Sequence, residues 1–341
     1  MKKADLIAEA RDLVASALGL PEAAVPDNAR IYSHPKWDSL GQLQIMLQLE
    51  ARTRTEVADA RTFARLSSVI SIASILAARQ AETVLIQDPL GRHPSTPASY
   101  YRPPSSIGTV VLVHGISADR HEWGLYDLLS LMSLDYELAV LAIDYQGHGS
   151  SEVPTSQLSL RGIVSEIENA QRWVSERHSG HRAILGNSFG AGVGLVAGVQ
   201  LGVDLVGMSC AVTSYEADLA RVNANSMAKT SPDGTIPYSG LRLPASIVAE
   251  MADIDERLRA VRPDFPVLFF HGTADSDVPC EEARQFAKTM PNSEFYALDN
   301  MDHTFTAPIE QKQRDEATVL NREIAASTIA EVLGASARSR T

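Results

Sequence analysis

A serine between two glycines, Gly186-Asn187-Ser188-Phe189-Gly190, stands where a short apolar strand-like run (182–187) meets a small-residue, helix-compatible stretch, Ala191 to Leu201. The spacing suits a nucleophile. A serine on a sharp strand-to-helix turn needs residues without a Cβ two positions to either side, because strand and helix cross there. Phe189 would then offer its backbone N–H, at the start of the helix, to an oxyanion developing on a bound carbonyl. A serine hydroxyl also needs a base, and the base needs a carboxylate to hold its tautomer. Candidates lie downstream, each just past a strand-like run: Asp275 and Asp277 within His271-Gly-Thr-Ala-Asp-Ser-Asp-Val-Pro279, and His303 within Asp302-His-Thr-Phe305. A second serine, Ser39, sits in Trp37-Asp-Ser-Leu-Gly41 at the opening of a helical stretch.

The elements that must position these groups fall into two parts. Residues 1–80 read as helices. Leu6, Ile7, Ala10, Val14 and Leu18 recur at helical spacing before Gly19 and Pro21; a second helix opens at Asp38 or Ser39, with Leu40, Leu43, Met46 and Leu47 expected to face a core. Val57 to Phe63 reads as a connector, and a last helix from about Ser67 to Ala78 brings Val69, Ile70, Ile72 and Leu76. From Glu82, apolar strand-like runs alternate with helical stretches: 82–87, 96–102, 108–113, 136–145, 182–187, 201–210, 266–270 and 294–298. That alternation predicts a mostly parallel sheet with helices on both faces. Almost no linker separates the parts. Residues 213–263 are too long for a simple crossover and form an insertion, with a helical stretch at Tyr215 to Lys229 and another from Pro244 to Val261. A final helix contains Thr328 to Leu333, and the tail from Ser336 is expected to fray.

Composition bounds the function. The 341 residues carry a net charge of −12. Residues 1–80 hold ten Lys/Arg against nine Asp/Glu, about +1, which leaves −13 for the rest. An acidic body without a basic aromatic stripe argues against nucleic acid as a partner. The two cysteines, Cys210 and Cys280, have no metal-ligand spacing and point to a reducing, cytoplasmic setting. The start of the chain turns straight into an amphipathic pattern rather than a signal peptide, and Gln200 and Asp204 break the apolar run 190–212, so no membrane span is expected. No H-E-x-x-H motif, cysteine pair or carboxylate cluster suggests a metal. His114 and His271 read as loop organisers, His148 as a brace, His121 as part of the site's entrance, and Asp144 as a structural loop acid.

Two resemblances sharpen these readings. Trp37-Asp-Ser-Leu-Gly41, with the helices around it, resembles the attachment region of acyl carrier proteins. The likeness spans nearly all of residues 3–78, within an acyl-carrier-like helical domain at 1–80. It implies that Ser39 carries 4′-phosphopantetheine, added by a phosphopantetheinyl transferase and charged by an acyl-loading enzyme. The helix after Ser39 is less acidic than is usual in that family, which weakens attraction to basic partners. Residues 82–335 resemble the α/β-hydrolase superfamily, among its members the monoacylglycerol lipase and serine aminopeptidase types. The resemblance implies Ser188, Asp275 and His303 as the catalytic triad, with Asp277 as rival acid. It implies Ile116, in His114-Gly115-Ile116, as a second oxyanion donor beside Phe189; Gly147-His148-Gly149-Ser150 matches a further family loop. It also implies a lid at about 213–263, whose Ile236, Tyr238, Leu241, Leu243, Ile247, Val248 and Met251 either line an acyl channel or pack the lid onto the sheet.

The fold class expected is therefore α/β: an α/β-hydrolase fold with a helical lid, preceded by a small all-α bundle. The function expected is a serine acyl hydrolase, a thioesterase acting on an acyl thioester held by the chain's own carrier. An acyltransferase to a small alcohol or amine is the alternative, and a carrier or interaction protein with an inactive hydrolase domain is a third reading.

Overall fold

The structure is a computed structural model that describes residues 1–54, 66–91, 94–223, 231, 233–307 and 314–339. The expected connector at Val57 to Phe63 lies outside them.

Helix α1 (Lys3–Leu18) ends on Gly19 at φ 58°, a left-handed cap that glycine adopts without steric cost. Helix α2 (Ser39–Thr53) opens on Asp38, whose carboxylate accepts hydrogen bonds from the N–H groups of Leu40 and Gly41 at 3.0 and 2.9 Å. Its buried face is Gly41, Gln42, Ile45, Met46 and Leu49. This corrects the sequence expectation for three residues: Leu40, Leu43 and Leu47 are 63%, 40% and 55% exposed. Gly41 sets the rotation, because a Cβ there would lie 2.1 Å from the Lys36 carbonyl oxygen and only a glycine face can meet that backbone.

Helix α3 (Val69–Gln80) is capped by Ser68, and every residue from Ser71 to Ala77 is buried. A helix apolar all round must be covered on more than one side. Here one side packs on α1 and another on α4 (Leu125–Ser133), a helix of the large domain. Only Ala81 separates α3 from β1 (Glu82–Ile86), as the sequence suggested. Three polar contacts reinforce the seam: the Ser68 hydroxyl to Glu323 at 2.5 Å, the N-terminal ammonium to the Arg102 carbonyl at 2.8 Å, and Lys3 to Asp135 at 2.7 Å. One continuous apolar core runs from Leu6 through α3 and α4 to Ala337.

The sheet adds β2 (Thr96–Tyr101), β3 (Gly108–Val113), β4 (Leu138–Ile143), β5 (His181–Asn187), β6 (Leu205–Ser209), β9 (Val267–Gly272) and β10 (Ser293–Leu298). Its order is β1-β2-β4-β3-β5-β6-β9-β10, with only β1 and β2 antiparallel to their neighbours. Strands β3, β4 and β6 are buried along their whole length, as central strands covered on both faces must be. Helices α5 (Leu160–Ser175) and α6 (Phe189–Leu201) flank β5 in the chain. Strand order reverses between β4-β3 and β3-β5, and such a reversal opens a crevice at the carboxyl ends of the two strands.

The insertion differs from expectation. Helix α7 (Tyr215–Val222) ends before the expected Lys229, and residues 224–230 lie outside those described. A hairpin follows, β7 (Thr235–Tyr238) and β8 (Leu241–Pro244), whose two-residue turn Ser239-Gly240 has φ of 46° and 78°. Helix α8 (Ile247–Ala260) completes it. Ile236, Tyr238, Leu243, Ile247 and Met251 are buried in the core under the sheet face, Leu241 packs against it, and Val248 is exposed. They pack the insertion down, and the two cavities at Ser188 formed by the described residues are walled by other side chains. Helix α9 (Cys280–Ala287) lies between β9 and β10, and α10 (Arg314–Arg338) continues through Ser336, where a frayed tail is expected from the sequence. Among the described residues no helix is long and apolar enough to cross a membrane.

Candidate active site

Four loops at the carboxyl ends of β3, β5, β9 and β10 bring the candidate residues together. Ser188 follows β5 directly and holds φ 51°, ψ −117°. A non-glycine residue there costs on the order of 1–3 kcal/mol, and the surroundings must hold it. Its N–H donates to the Ser209 carbonyl at 2.8 Å, and its carbonyl accepts from Val212 at 3.1 Å. Both flanking glycines are required: a Cβ on Gly186 would lie 2.4 Å from the Gly190 carbonyl oxygen, and one on Gly190 would lie 2.4 Å from that of His114.

His303 Nε2 lies 2.9 Å from Ser188 Oγ, and its Nδ1 lies 2.7 Å from Asp275 Oδ2. The second oxygen of Asp275 accepts the N–H groups of Asp277 and Val278 at 3.0 and 2.9 Å. Asp277, the rival acid, gives its backbone to hold Asp275 and turns its side chain to the cavity. Burial pulls against ionisation of Asp275, but hydrogen bonds from His271 and His303, the charge of His303 and the Val278 N–H outweigh it and hold the carboxyl far below its usual range. Burial lowers His303, and the Asp275 hydrogen bond together with the charges of Asp275, Asp277 and Glu122 more than reverses this, so the imidazole is more basic than usual. The arrangement can take a proton from Ser188 and stabilise the resulting imidazolium.

Ile116 lines both cavities that open on Ser188, and Phe189 sits in the first turn of α6, where an N–H has no carbonyl one turn before it. The larger cavity is about 450 Å³ and is walled by Asp218, Arg221, Ser239 and Asp277 as well as Ile116, Val222 and Val278. The hairpin turn reaches its rim, where the Ser117 hydroxyl donates to the Ser239 carbonyl at 3.0 Å.

The other histidines sort as structural groups. His114 stacks on Tyr145 at 3.9 Å, and burial, followed by the charge of His148, holds it well below its usual value. His148 accepts from the Ser117 N–H at 3.2 Å, bracing the loop that carries Ile116. Asp144 accepts from Arg120 and from the Ser150 N–H, as a loop acid should. His121 corrects the sequence reading: it pairs with Asp127 at 2.8 Å and lines a cavity with Arg79 and Arg120 at the seam between the helical part and the sheet, away from the Ser188 entrance. Cys210, His271 and Asp275 lie close together, but His271 Nε2 already meets Asp275 at 3.1 Å and the Val278 carbonyl at 2.9 Å. Both cysteines are free.

Three residues beside the site carry no motif that would mark them in the sequence. Glu122 is buried and accepts the Gly115 N–H at 2.6 Å. Trp123 follows it and is 38% exposed. Arg322 of α10 donates to the carbonyls of Thr304 and Trp123 at 3.0 and 3.2 Å, clasping the histidine loop to the Trp123 turn. All three line the smaller cavity with Ser188 and His303.

A strained serine at the switch point, a histidine and a buried aspartate, in the chain order Ser-Asp-His, define a constellation of the serine-hydrolase type. Residues 110–319 match the model of the family described as the alpha/beta hydrolase family, and the chain belongs to it. No curated protein sequence matches the chain. Among solved structures, it is similar to mouse alpha/beta hydrolase domain-containing protein 10 (TM-score 0.59, 14% identity, 74% of this chain and 98% of that one). It is also similar to Est1E from Butyrivibrio proteoclasticus, solved with ferulic acid bound (0.57, 16%, 73% and 98%). A third is the monoacylglycerol lipase of Paleococcus ferrophilus (0.52, 19%, 70% and 98%). At these identities the likeness concerns the fold alone.

Proposed function

We propose that this protein is a serine acyl hydrolase working as a thioesterase, with Ser188 as nucleophile, His303 as base, Asp275 as the orienting acid and the N–H groups of Ile116 and Phe189 as the oxyanion donors. The acyl group would arrive on 4′-phosphopantetheine attached to Ser39, which supplies a thiol and presents the acyl group as a thioester. The residues around Ser39 suit attachment: its side chain is exposed in the first turn of α2, and Leu40, Leu43 and Leu47 form an exposed apolar face beside it for a transferase or loading enzyme. The free thiols fit the cytoplasmic setting expected from composition.

The observation that carries this reading is a chain of contacts from the Ser39 loop to the rim of the Ser188 cavity. The Trp37 carbonyl accepts from the Tyr32 N–H at 2.7 Å, and the N–H of the preceding residue, Ile31, donates to the Ser67 carbonyl at 2.8 Å. Ser68 bonds Glu323 at 2.5 Å, and its neighbour Arg322 clasps Thr304 and Trp123 over the cavity. These contacts favour delivery at the catalytic edge of the sheet over delivery to the opposite edge. Attachment within one chain then raises the effective concentration of the acyl group at Ser188.

In the reaction, His303 Nε2 takes the Ser188 proton as Oγ bonds to the acyl carbon. The negative charge moves to the carbonyl oxygen, facing Ile116 and Phe189. Collapse breaks the carbon–sulfur bond, and the imidazolium returns its proton to the leaving sulfur. Water then attacks the acyl-Ser188 ester with His303 again as base, releasing a carboxylic acid and restoring the serine. The polar wall formed by Asp218, Arg221, Ser239 and Asp277 has room for a small alcohol or amine in place of water, and this favours acyl transfer as the second reading.

The test is to load Ser39 with a labelled acyl-pantetheine through a broad-specificity phosphopantetheinyl transferase. Release should be first order, independent of protein concentration and abolished by Ser188→Ala. A rate constant rising linearly with concentration would mean transfer between molecules. If Ser39 takes no arm, the helical part is a docking unit instead. The product's mass, with and without added alcohols or amines, separates hydrolysis from transfer.

A further inference from the structure

Glu122 belongs to no motif that the sequence announces, yet it joins the two walls of the reaction site. Its Oε2 accepts the N–H of Gly115, the residue before Ile116, at 2.6 Å. The side chain of Asn187, the residue before Ser188, also favours its charged form. The two walls are already in close approach: a Cβ on Gly115 would lie 3.2 Å from the Ser188 Cβ. The backbone at Glu122 and Trp123 is in the left-handed region, φ 43° and 55°, which costs energy for residues other than glycine. The outcome of that backbone is a carboxylate turned inward and an indole turned outward.

We propose that Glu122 is a positioning residue of the oxyanion site: it ties the Gly115 turn to the end of the nucleophile strand, fixing the spacing between the Ile116 and Phe189 donors, and its negative charge stabilises the His303 imidazolium. The proposal deepens the serine-hydrolase reading and rests on it. Burial, opposed by the Gly115 N–H, the charge of His303 and the Asn187 amide, pushes the Glu122 carboxyl up to about 7, so its charge changes in the range where the enzyme would work. Asp119 on the same loop raises it further. Tyr126 of α4 and Tyr145 after β4 face Glu122, but burial holds both phenols well above their usual value, so they stay neutral. Arg322 of α10 shares the cavity. Around His303 the remaining charges are Asp275, Asp277 and Asp218.

The sign follows directly. His303 acts as base only when neutral, and an anionic Glu122 raises its basicity; removing that anion moves the rising limb of the rate–pH profile to lower pH. Two substitutions separate charge from reach. Glu122→Gln keeps the reach and loses the charge: the limb should move to lower pH while the alkaline plateau stays within about tenfold of wild type. Glu122→Asp keeps the charge but cannot span Gly115 and Asn187: the limb should stay, and the plateau should fall by roughly tenfold to a hundredfold through kcat rather than KM.

The readouts are the rate of Ser188 phosphonylation by a fluorophosphonate and kcat/KM on a p-nitrophenyl ester, each against pH, with fold checked by near-UV circular dichroism. If Ser188 takes no label in wild type, the hydrolase reading itself fails. If wild type labels but Glu122→Gln leaves the limb in place and Glu122→Asp leaves the plateau intact, Glu122 is only a packed carboxyl and the inference is wrong. Should Glu122→Gln not fold, the plateau of Glu122→Asp decides.

Discussion

Ser188→Ala is expected to yield a folded protein that takes no fluorophosphonate, whereas wild type gains the mass of one adduct. The Ser188 hydroxyl bonds His303, while the residue's backbone is held by Ser209 and Val212, so removing Oγ removes chemistry and leaves the turn. His303→Ala should lower turnover on the order of 10³-fold or more with the fold retained, since the oxyanion donors survive but nothing accepts the serine proton. An adduct of equal stoichiometry on the Ser188→Ala protein would move the nucleophile elsewhere.

The second large effect is expected at Asp275. Asp275→Asn should cost roughly 10⁴-fold in kcat, because an amide in its place can donate to Nδ1 and stabilise the wrong tautomer of His303. Asp277→Asn should cost less than about tenfold: its side chain is not the one that meets His303 Nδ1, and it acts on the imidazole through charge alone. Steady-state kinetics of the two variants on one ester would decide, and equal losses would show that the two carboxylates share the role.

Much of this site was legible because its parts are dictated locally. Gly186 and Gly190 announce a crossing of backbones, and the apolar runs before Gly115, Ser188, Asp275 and His303 announce strands that end together. What was not legible depends on tertiary contact or on backbone angles. Helix α2 carries two apolar stripes, Leu40-Leu43-Leu47 and Ile45-Met46-Leu49, and only the approach of Gly41 to the Lys36 carbonyl selects the second. The hairpin has strands of four residues each, and its signal, Ser239-Gly240, is small beside the helical pattern around it. Glu122 points inward through positive φ angles that no side-chain pattern encodes. The burial of α3 on two sides had a visible sign in its run of apolar and small residues, Val69 to Ala78, with no charged face.

That double burial bears on how such a fusion could be inherited or re-engineered. Helix α3 contributes Val69, Ile72, Ala73, Ile75, Leu76 and Ala77 to the same core as Leu125 to Leu134 of the hydrolase part. Exchanging residues 1–80 for another helical unit would leave the wall of α4 bare unless the newcomer reproduced that shape, and a severed hydrolase part would present an apolar scar to solvent. The helical unit is a fitted component, and substitutions on the two sides of the seam must be accepted together. A lineage carrying this join would vary the residues of the cavity walls more easily than it would acquire a new N-terminal unit.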